Sequence, residues 1–395
     1  MKKHLRVNKA LIGQKWVHNL VMTIENGRVT GLTDVNTGDD SAKPQHSYTS
    51  LTVDMHIQGT VIPGYIDTQV NGGGGIMFNQ TPSFHRLRVM ADAHRQFGTT
   101  TLFPTLITDQ IDVIERAADA IAEAISDEHP SIAGVHFEGP HLSVEKKGVH
   151  PPRFIRKLSD RELDTYTRTD LGQVVLTVAP ENVPTSVIGE LVASGVVVAL
   201  GHSNATYRQV ERAIEAGATG FTHLFNAMSP LTSREPGMVG AALLNKCLCG
   251  LIVDHQHVHP KTVELAYKIK GPHELMLVTD AMAHVGTTQQ TIPFFDRNIS
   301  RQGNKLTTED GTLAGSCLDM HSALMHCVND IQIPLADASA MASTTPAAFT
   351  KIRDRVGDIA IGKVANFLVL DDNNALNAVW QYGQQVSGIT IPNNN

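Results

Sequence analysis

Short apolar runs alternate with longer amphipathic stretches through the middle of the chain. Eight β-rich runs are predicted to be strands, at residues 61–67, 99–106, 132–138, 174–179, 196–200, 220–224, 249–254 and 275–279. Apolar residues recur with helical spacing between several of them, at 109–125, 204–216 and 260–269. Strands that alternate with helices form a parallel sheet, so eight such units predict an α/β fold, a (β/α)8 TIM-like barrel.

The two ends of the chain have a different pattern. Short apolar stretches are separated by turn residues there, as at 21–27 near the start and 367–380 near the end. Such segments are typical of hairpins. We therefore predict a small β-sandwich domain built from residues 1–57 plus 360–395, with the (β/α)8 barrel at residues 58–359.

Composition and charge limit the possible partners. The 395 residues are 42% hydrophobic and 18% charged, which is ordinary for a globular protein with a large core. The net charge of -7 argues against nucleic-acid binding, because phosphate backbones require a basic surface. A local basic site for one small phosphate remains compatible with this balance.

Cysteine use and the absence of long apolar runs predict the compartment. The four cysteines are too few and too clustered for a disulfide framework, and we expect free thiols. The N-terminus lacks the apolar core of a signal peptide. No run approaches the roughly 20 apolar residues of a membrane span. The expectation is a cytoplasmic protein without a membrane partner.

Polar residues stand repeatedly at the ends of the predicted strands. They are Asp67, Glu138, His202, His223 and Asp280. In a barrel of this type, catalytic groups project from the C-terminal ends of the strands. Five such positions in register predict one functional site.

Three of these residues are candidate metal ligands. Glu138, His202 and His223 offer one carboxylate oxygen and two imidazole nitrogens, which suit Zn²⁺ or a similar divalent ion. Asp280 follows an apolar strand and is a candidate general base and acid. Either histidine alone is equally well explained as a hydrogen-bonded residue at a strand end. For Asp280, a helix cap or a structural salt bridge is the weaker alternative.

The motifs together resemble the amidohydrolase superfamily, and more closely the N-acetylglucosamine-6-phosphate deacetylases. The matching segments are 63–72 (PGYIDTQVNG), 138–140 (EGP), 147–150 (KGVH), 201–206 (GHSNAT), 222–228 (THLFNAM), 234–237 (REPG), 277–281 (LVTDA) and 362–366 (GKVAN). The resemblance spans nearly the whole chain. It implies an amidohydrolase that converts N-acetylglucosamine 6-phosphate to glucosamine 6-phosphate and acetate in amino-sugar catabolism.

The resemblance also implies roles for individual residues. The metal ligands carried over are Glu138, His202 and His223. Asp280 is implied as the general base and acid, and His150 as the group that polarises the acetyl carbonyl. The substrate-binding residues carried over, several of them for the phosphate, are Gln69, His150, Asn226, Ala227, Arg234 and His257. For Arg234 alone, an exposed surface cation is an equally good interpretation.

The sequence departs from most amidohydrolases at the end of the first strand. A His-x-His pair is usual there, whereas this chain has Gln69 and Asn71, and neutral amides are poor ligands for transition metals. We therefore predict one divalent metal ion per subunit, Zn²⁺ with Fe²⁺ or another divalent ion as alternatives. A homodimer is implied by the resemblance alone.

Histidines alternate through residues 254–259. His255, His257 and His259 would share one face of an extended segment, which suggests a second, weaker metal interpretation. His255 stands where the family commonly has glycine, and an imidazole near the sugar could change which epimer is accepted.

Three alternatives to the main function stay open. They are the same reaction on N-acetylgalactosamine 6-phosphate, another amidohydrolase reaction such as cyclic-amide hydrolysis, and a catalytically silent barrel that senses sugar phosphates.

Overall fold

The computed structural model describes residues 2–35 and 52–388 of the chain. Its strands, in chain order, are β1 Lys2–Ile12, β2 Lys15–Glu25, β3 Arg28–Asp34, β4 Met55–Pro63, β5 Tyr65–Val70, β6 Gly72–Gly73, β7 Ile76–Met77, β8 Thr99–Ile107, β9 Gly134–Glu138, β10 Gln173–Val178, β11 Val197–Leu200, β12 Gly220–Phe221, β13 Leu248–Leu251, β14 Leu275–Leu277, β15 Thr291–Phe294, β16 Arg297–Gln302, β17 Lys305–Thr308, β18 Phe367–Leu370, β19 Leu376–Gln381 and β20 Gln384–Gly388. Its α-helices are α1 Phe84–Arg95, α2 Ile111–Ser126, α3 Asp160–Tyr166, α4 Thr185–Ala193, α5 Tyr207–Glu215, α6 Gly237–Leu244, α7 Pro260–Lys270, α8 Met320–Asn329, α9 Leu335–Ala342 and α10 Thr344–Phe349.

An eight-stranded parallel sheet forms the centre of the molecule. Its strand order is β5-β8-β9-β10-β11-β12-β13-β14, which follows the order of the chain. Every residue of β8 and β9 is buried, as expected for strands covered by helices on one face and by packed side chains on the other. The predicted (β/α)8 barrel is confirmed.

The barrel closes between β5 and the segment that follows β14. Val70 pairs in parallel with Ala281. The Asp280 N–H donates to the Gln69 carbonyl at 3.0 Å, and the Asn71 N–H donates to the Ala281 carbonyl at 2.9 Å. The first and eighth strands therefore meet where Gln69 and Asp280 lie.

The outer helices follow from amphipathic sequence and defined ends. The buried residues of α2 form one stripe, Val113, Ile114, Ala117, Ala118, Ala120, Ile121 and Ala124. Helix α5 begins at a capping box, in which the Thr206 hydroxyl and the Gln209 side chain each accept a hydrogen bond from the other residue's backbone N–H. These features direct the apolar stripe toward the barrel and fix where a helix starts.

Strands from both ends of the chain form the second domain. They make one continuous seven-stranded sheet in the order β20-β19-β18-β4-β1-β2-β3, antiparallel except for the pair β1 and β4. Both halves of the sheet contribute to a single apolar cluster that includes Leu5, Met22, Val29, Phe367 and Trp380. The predicted small β domain built from the N- and C-terminal segments is confirmed.

One predicted strand is divided between the two domains. The run at 61–67 is expected from the sequence to be a single barrel strand, but β4 ends at Pro63 in the small sheet and β5 begins at Tyr65 in the barrel. Gly64 lies between the two strands. A larger residue would not fit there, because its Cβ would lie 2.3 Å from the Thr100 hydroxyl oxygen. The domain boundaries at residues 57 and 359 stay a prediction, and residues 1, 36–51 and 389–395 lie outside the described chain.

An insertion between β14 and α8 covers part of the barrel mouth. Strands β15, β16 and β17 form an antiparallel sheet whose apolar residues Ile292, Phe294 and Ile299 pack in one cluster with Met77 and Met282. The sequence pattern does not predict this insertion. It matters for the site because the chain returning from β17 lines the cavity.

Two further expectations concern cysteines and membrane spans. All four cysteines are free, as expected. Among the helices of residues 2–35 and 52–388, none combines the length and apolar character needed to cross a bilayer.

The barrel core yields a stability prediction. Leu176 on β10 is fully buried, and Leu176→Ala should cost about 2–5 kcal/mol because it removes apolar contacts and leaves a cavity. Ile361→Ala is the control, since Ile361 is 65% exposed and its loss should change stability by no more than about 0.5 kcal/mol. The measurement is the urea midpoint of each protein. Equal midpoints for the two variants would contradict the assigned core.

Candidate active site

A cavity of about 240 Å³ opens at the C-terminal ends of the barrel strands. Eight of the residues singled out from the sequence line it. They are Glu138, His150, His202, His223, Asn226, Ala227, His257 and Asp280. Gln69 is not among the lining residues, but its side chain donates hydrogen bonds to Glu138 and Asp280, which are. Arg234 is not among the lining residues.

Three candidate ligand atoms converge within the cavity. His223 Nε2 lies 2.9 Å from His202 Nε2 and 3.1 Å from Glu138 Oε1, and His202 Nε2 lies 3.3 Å from the same oxygen. Bonds of about 2.0–2.2 Å from these atoms to one tetrahedral ion would separate them by about 3.4 Å. Separations of 2.9–3.3 Å therefore fit one cation with small adjustments, and these residues could hold a divalent metal ion.

The protonation of His202 suits a ligand. Its Nδ1 lies 2.7 Å from the Lys146 carbonyl, which can only accept, so Nδ1 carries the proton and Nε2 keeps its lone pair. A metal-binding histidine is generally oriented in this way through its second nitrogen. His223 Nδ1, in contrast, is buried and finds no hydrogen-bond partner among residues 2–35 and 52–388.

The charges within the cluster depend strongly on one another. Burial lowers the pKa of His223, but hydrogen bonding to Glu138 and its negative charge outweigh burial, and the pKa is raised overall. Burial raises the pKa of Glu138, while its contacts with His202 and His223 bring it well below its usual range. The cluster without a cation therefore tends to hold a proton, which metal binding would displace.

Asp280 lies beside the cluster and is not part of it. Its Oδ1 accepts hydrogen bonds from the amides of Asn71 at 2.6 Å and Gln69 at 3.3 Å. Burial, followed by the charge of Glu138, raises the pKa of Asp280 to about 6. A carboxyl group with a pKa near neutrality can both accept and donate a proton.

Gln69 and Asn71 occupy the positions where a second metal site would need ligands. The Gln69 amide donates to Glu138 Oε1 at 3.0 Å as well as to Asp280. The nitrogens of both amides thus point at carboxylates, and an amide nitrogen has no free lone pair to offer a cation.

His150 is oriented by Thr108. Its Nδ1 lies 2.8 Å from the Thr108 hydroxyl and accepts the Thr108 N–H at 3.4 Å. This leaves the Nε2–H as the donor of the ring. Burial, followed by the proximity of the His202 imidazole, holds the pKa of His150 well below its usual range, so the ring is neutral.

His257, Asn226 and Ala227 also line the cavity. His257 Nδ1 bonds to the Asp254 carboxylate at 2.7 Å, which leaves Nε2 as the ring's other polar atom. The Asn226 side chain donates to the carbonyls of His223 and Leu224 at 3.3 Å. These residues come from the loops after β12 and β13.

Several residues of the site have strained backbones. His202, His223, Ala227 and Asp280 have φ angles of +46°, +32°, +50° and +51°. Non-glycine residues rarely adopt this region, and strain of this kind clusters at functional sites.

Arg234 and two of the three alternating histidines lie outside the cavity. Arg234 lies exposed in the loop after β12 and outside the cavity walls. His255, His257 and His259 do not converge, because His257 bonds to Asp254, His255 pairs with Asp330 and His259 caps α7. His255 does not line the cavity, so the expected direct effect on the sugar is not supported.

Sequence reasoning missed the residues that orient the predicted ones. From the sequence, Asn71 is notable only as a lost ligand, and neither Thr108 nor Asp254 is singled out. Asp254 could have been found, since it directly precedes the histidines. Thr108 lies on another loop, and no signal in the sequence links it to His150.

The segment that follows β17 covers one side of the cavity. Thr312, Leu313 and Gly315 line it. Ser316 anchors this cover: its N–H donates to the Asp280 carbonyl at 2.9 Å and its hydroxyl to the Thr279 carbonyl at 2.5 Å. Gly315 is required beside it, because a Cβ would lie 2.7 Å from the Asp280 carbonyl oxygen.

The Asp67 carboxylate stabilises the backbone beside the site. It accepts the N–H groups of Gln69 at 3.1 Å and Thr279 at 3.3 Å and the Thr279 hydroxyl at 2.5 Å. Burial outweighs these bonds and raises the pKa of Asp67 to about 7.

Residues 60–390 match the Amidohydrolase family. The chain is 48% identical over 378 residues to the N-acetylgalactosamine-6-phosphate deacetylase of Shewanella sp. (strain ANA-3), a match that covers 95% of this chain and 94% of that protein. It is 37% identical over 328 residues to the N-acetylglucosamine-6-phosphate deacetylase of Haemophilus influenzae, covering 82% and 85%.

The fold is also similar to that of a solved structure. The crystal structure of N-acetylglucosamine-6-phosphate deacetylase from Pasteurella multocida has a TM-score of 0.90 at 30% identity, with 98% of this chain and 100% of that chain covered. The similarity therefore includes both domains.

The raised pKa of Asp67 predicts a pH dependence of stability in the metal-free protein. The pKa of about 7 exceeds the ordinary 3.8, so the folded state holds an extra proton and stability falls as pH rises from about 4 to about 7. Asp67→Asn should reduce this fall, because the neutral amide mimics the protonated carboxyl. Thermal midpoints across this range test it, with exposed Asp164→Asn as control. An unchanged slope in Asp67→Asn would refute the prediction.

Proposed function

This chain is a member of the amidohydrolase family, and we propose that it deacetylates N-acetylglucosamine 6-phosphate to glucosamine 6-phosphate and acetate. The observation that carries the proposal is the convergence of the Glu138, His202 and His223 ligand atoms beside Asp280 in one cavity. The relatives named above, which are deacetylases of acetylated amino-sugar 6-phosphates, support the substrate class.

We assign Glu138, His202 and His223 as the ligands of one Zn²⁺ per subunit. Fe²⁺ or another divalent ion is an alternative, since nitrogen and oxygen ligands serve several metals. When bound, such an ion lowers the pKa of a coordinated water to roughly 7 and polarises the amide carbonyl. The amides of Gln69 and Asn71 support a single ion here, because they donate to carboxylates.

Asp280 is assigned as the general base and acid. It takes a proton from the attacking water and gives one to the amine nitrogen as the C–N bond breaks. Its pKa of about 6 suits both steps at neutral pH. The hydrogen bond from Asn71 holds one carboxylate oxygen, which leaves the other for the water.

His150 is assigned to the acetyl carbonyl. Its Nδ1 accepts from Thr108, so the Nε2–H can donate to the oxygen that becomes negative in the transition state. A preorganised donor of this kind stabilises an oxyanion. A neutral imidazole serves this purpose because it keeps that proton throughout the reaction.

The remaining substrate-binding assignments concern the sugar and its phosphate. Gln69, whose amide donates to Glu138 and Asp280, lies next to the reacting groups. The phosphate is assigned to three other lining residues: Asn226, the backbone at Ala227, and His257. Arg234 is proposed as a further contact, which it would make after movement of its loop or from the neighbouring subunit.

A homodimer and a cytoplasmic location complete the proposal. Leu231, Leu244, Leu265 and Ile269 are each at least half exposed on or near α6 and α7, close to the loop that carries Arg234. Exposed apolar residues in a group are typical of protein interfaces. The four free thiols are expected in a reducing compartment.

One observation favours a second candidate substrate. The 48% identical relative is named for N-acetylgalactosamine 6-phosphate, the epimer at the C4 hydroxyl. The same ligands and the same base would serve both epimers, because the reaction occurs at the acetamido group. A silent sensor barrel is a weaker candidate, since binding a sugar phosphate requires no general base.

Acetate release from a substrate panel tests the proposal. The metal-loaded protein should release acetate from N-acetylglucosamine 6-phosphate or N-acetylgalactosamine 6-phosphate far faster than from the sugars without phosphate. Asp280→Asn should lower kcat by about 10²–10⁴-fold, because the proton transfers are lost. Exposed Asp372→Asn is the control and should keep full activity. No acetate from any phosphorylated sugar would refute the function, and full activity of Asp280→Asn would refute its role.

A second prediction concerns Arg234. Arg234→Ala should raise KM and lower kcat for the phosphorylated sugar, because binding energy from the phosphate helps to hold the amide in place. Hydrolysis of the unphosphorylated sugar should change little. Arg208→Ala, which removes another exposed cation, on α5 and outside the cavity, is the comparison. Equal losses on both sugars in Arg234→Ala would exclude phosphate recognition.

A further inference from the structure

A second group of metal-ligating side chains lies outside the cavity, where the loop after β13 meets helix α8. His255 comes from the loop, and His326 and Asp330 lie one helical turn apart at the end of α8, so their side chains share one face. One ligand atom of each residue lies within 4.8 Å of the other two. This cluster shares no residue with the one inside the cavity.

The contacts within this cluster resemble those of a ligand set. His255 Nε2 lies 2.9 Å from Asp330 Oδ2, and the two imidazole rings have centroids 4.4 Å apart. His326 Nδ1 lies 2.7 Å from the Val253 carbonyl, so it carries the proton and Nε2 keeps a lone pair. A histidine held through one nitrogen to a carbonyl is oriented to ligate through the other.

The position of the cluster allows a cation to enter. The side chains of His255 and Asp330 are 31% and 47% exposed, so water can complete the coordination. Two imidazoles and one carboxylate suit Zn²⁺ and similar ions. A simple ion pair would explain the contact between His255 and Asp330, but it gives no reason for a second imidazole beside them.

The backbone at His255 adds to this observation. Its φ is +62°, a region that favours glycine. The same turn holds His257, because the Asp254 carboxylate accepts the N–H groups of Gln256 and His257 as well as bonding to the His257 ring. A cation bound through His255 would therefore connect this turn to α8.

We propose that His255, His326 and Asp330 bind a second divalent cation, which fastens the turn that carries His257 to helix α8. The cation has a structural role and takes no part in the chemistry of the cavity. The proposal does not depend on the assigned reaction, because it concerns binding and the mobility of residues 252–257.

Calorimetric titration with Zn²⁺ tests the site. Protein loaded with one tightly held equivalent and desalted should bind one further equivalent. His255→Gly and Asp330→Asn should each weaken this second event at least about tenfold, since a ligand is lost. Glycine accepts the positive φ, so His255→Gly removes the ligand without backbone strain. His85→Ala, at an exposed histidine on α1, is the matched control and should bind as the wild type does.

A local measurement separates this site from the cavity. Zn²⁺ in excess of one equivalent should slow hydrogen exchange at residues 252–257 in the wild type and not in His255→Gly. Glu138→Gln should lose the tight equivalent and retain the second. The proposal is overturned if the wild type binds no further equivalent, or if His255→Gly binds it as strongly.

Discussion

The hydrogen bonds that close the barrel between its first and eighth strands determine how the cavity is built. Asp67 accepts two backbone N–H groups and a hydroxyl across this seam, and the Asp280 N–H donates to the Gln69 carbonyl next to it. This registration brings the Asp280 carboxylate near Glu138, where burial and a second negative charge raise the pKa of Asp280. Without the seam, neither the Asp280 carboxylate nor the Gln69 amide that bridges the two carboxylates would have a defined position.

Three imidazoles of the site are each oriented by hydrogen bonding to one residue. The Lys146 carbonyl orients His202, the Thr108 backbone and hydroxyl orient His150, and the Asp254 carboxylate orients His257. A buried polar group is generally hydrogen-bonded, and here that requirement also selects which ring nitrogen faces the cavity. The arrangement therefore depends on several loops being folded together, and His202 keeps its orientation with a positive φ.

The barrel and the grouping of Glu138, His202, His223 and Asp280 were predictable because their signals are local. Buried parallel strands are short continuous apolar runs, and each of these four residues follows one. What the sequence did not predict depends on contacts between distant segments. The run at 61–67 crosses from one domain to the other, and the β15–β17 insertion has no barrel periodicity. His150 was identified by resemblance, since a loop histidine between Gly148 and two prolines carries no chemical signal of its own.

The anchoring of Ser316 has a mechanical consequence. Its backbone and hydroxyl bond to the carbonyls of Asp280 and Thr279, while Thr312, Leu313 and Gly315 wall the cavity just before it. The wall and the Asp280 carboxyl group thus share one attachment point, and displacing the wall at this point would pull on the backbone of the aspartate. A substitution that loosens Ser316 would therefore alter the lining of the cavity and the placement of this carboxylate together.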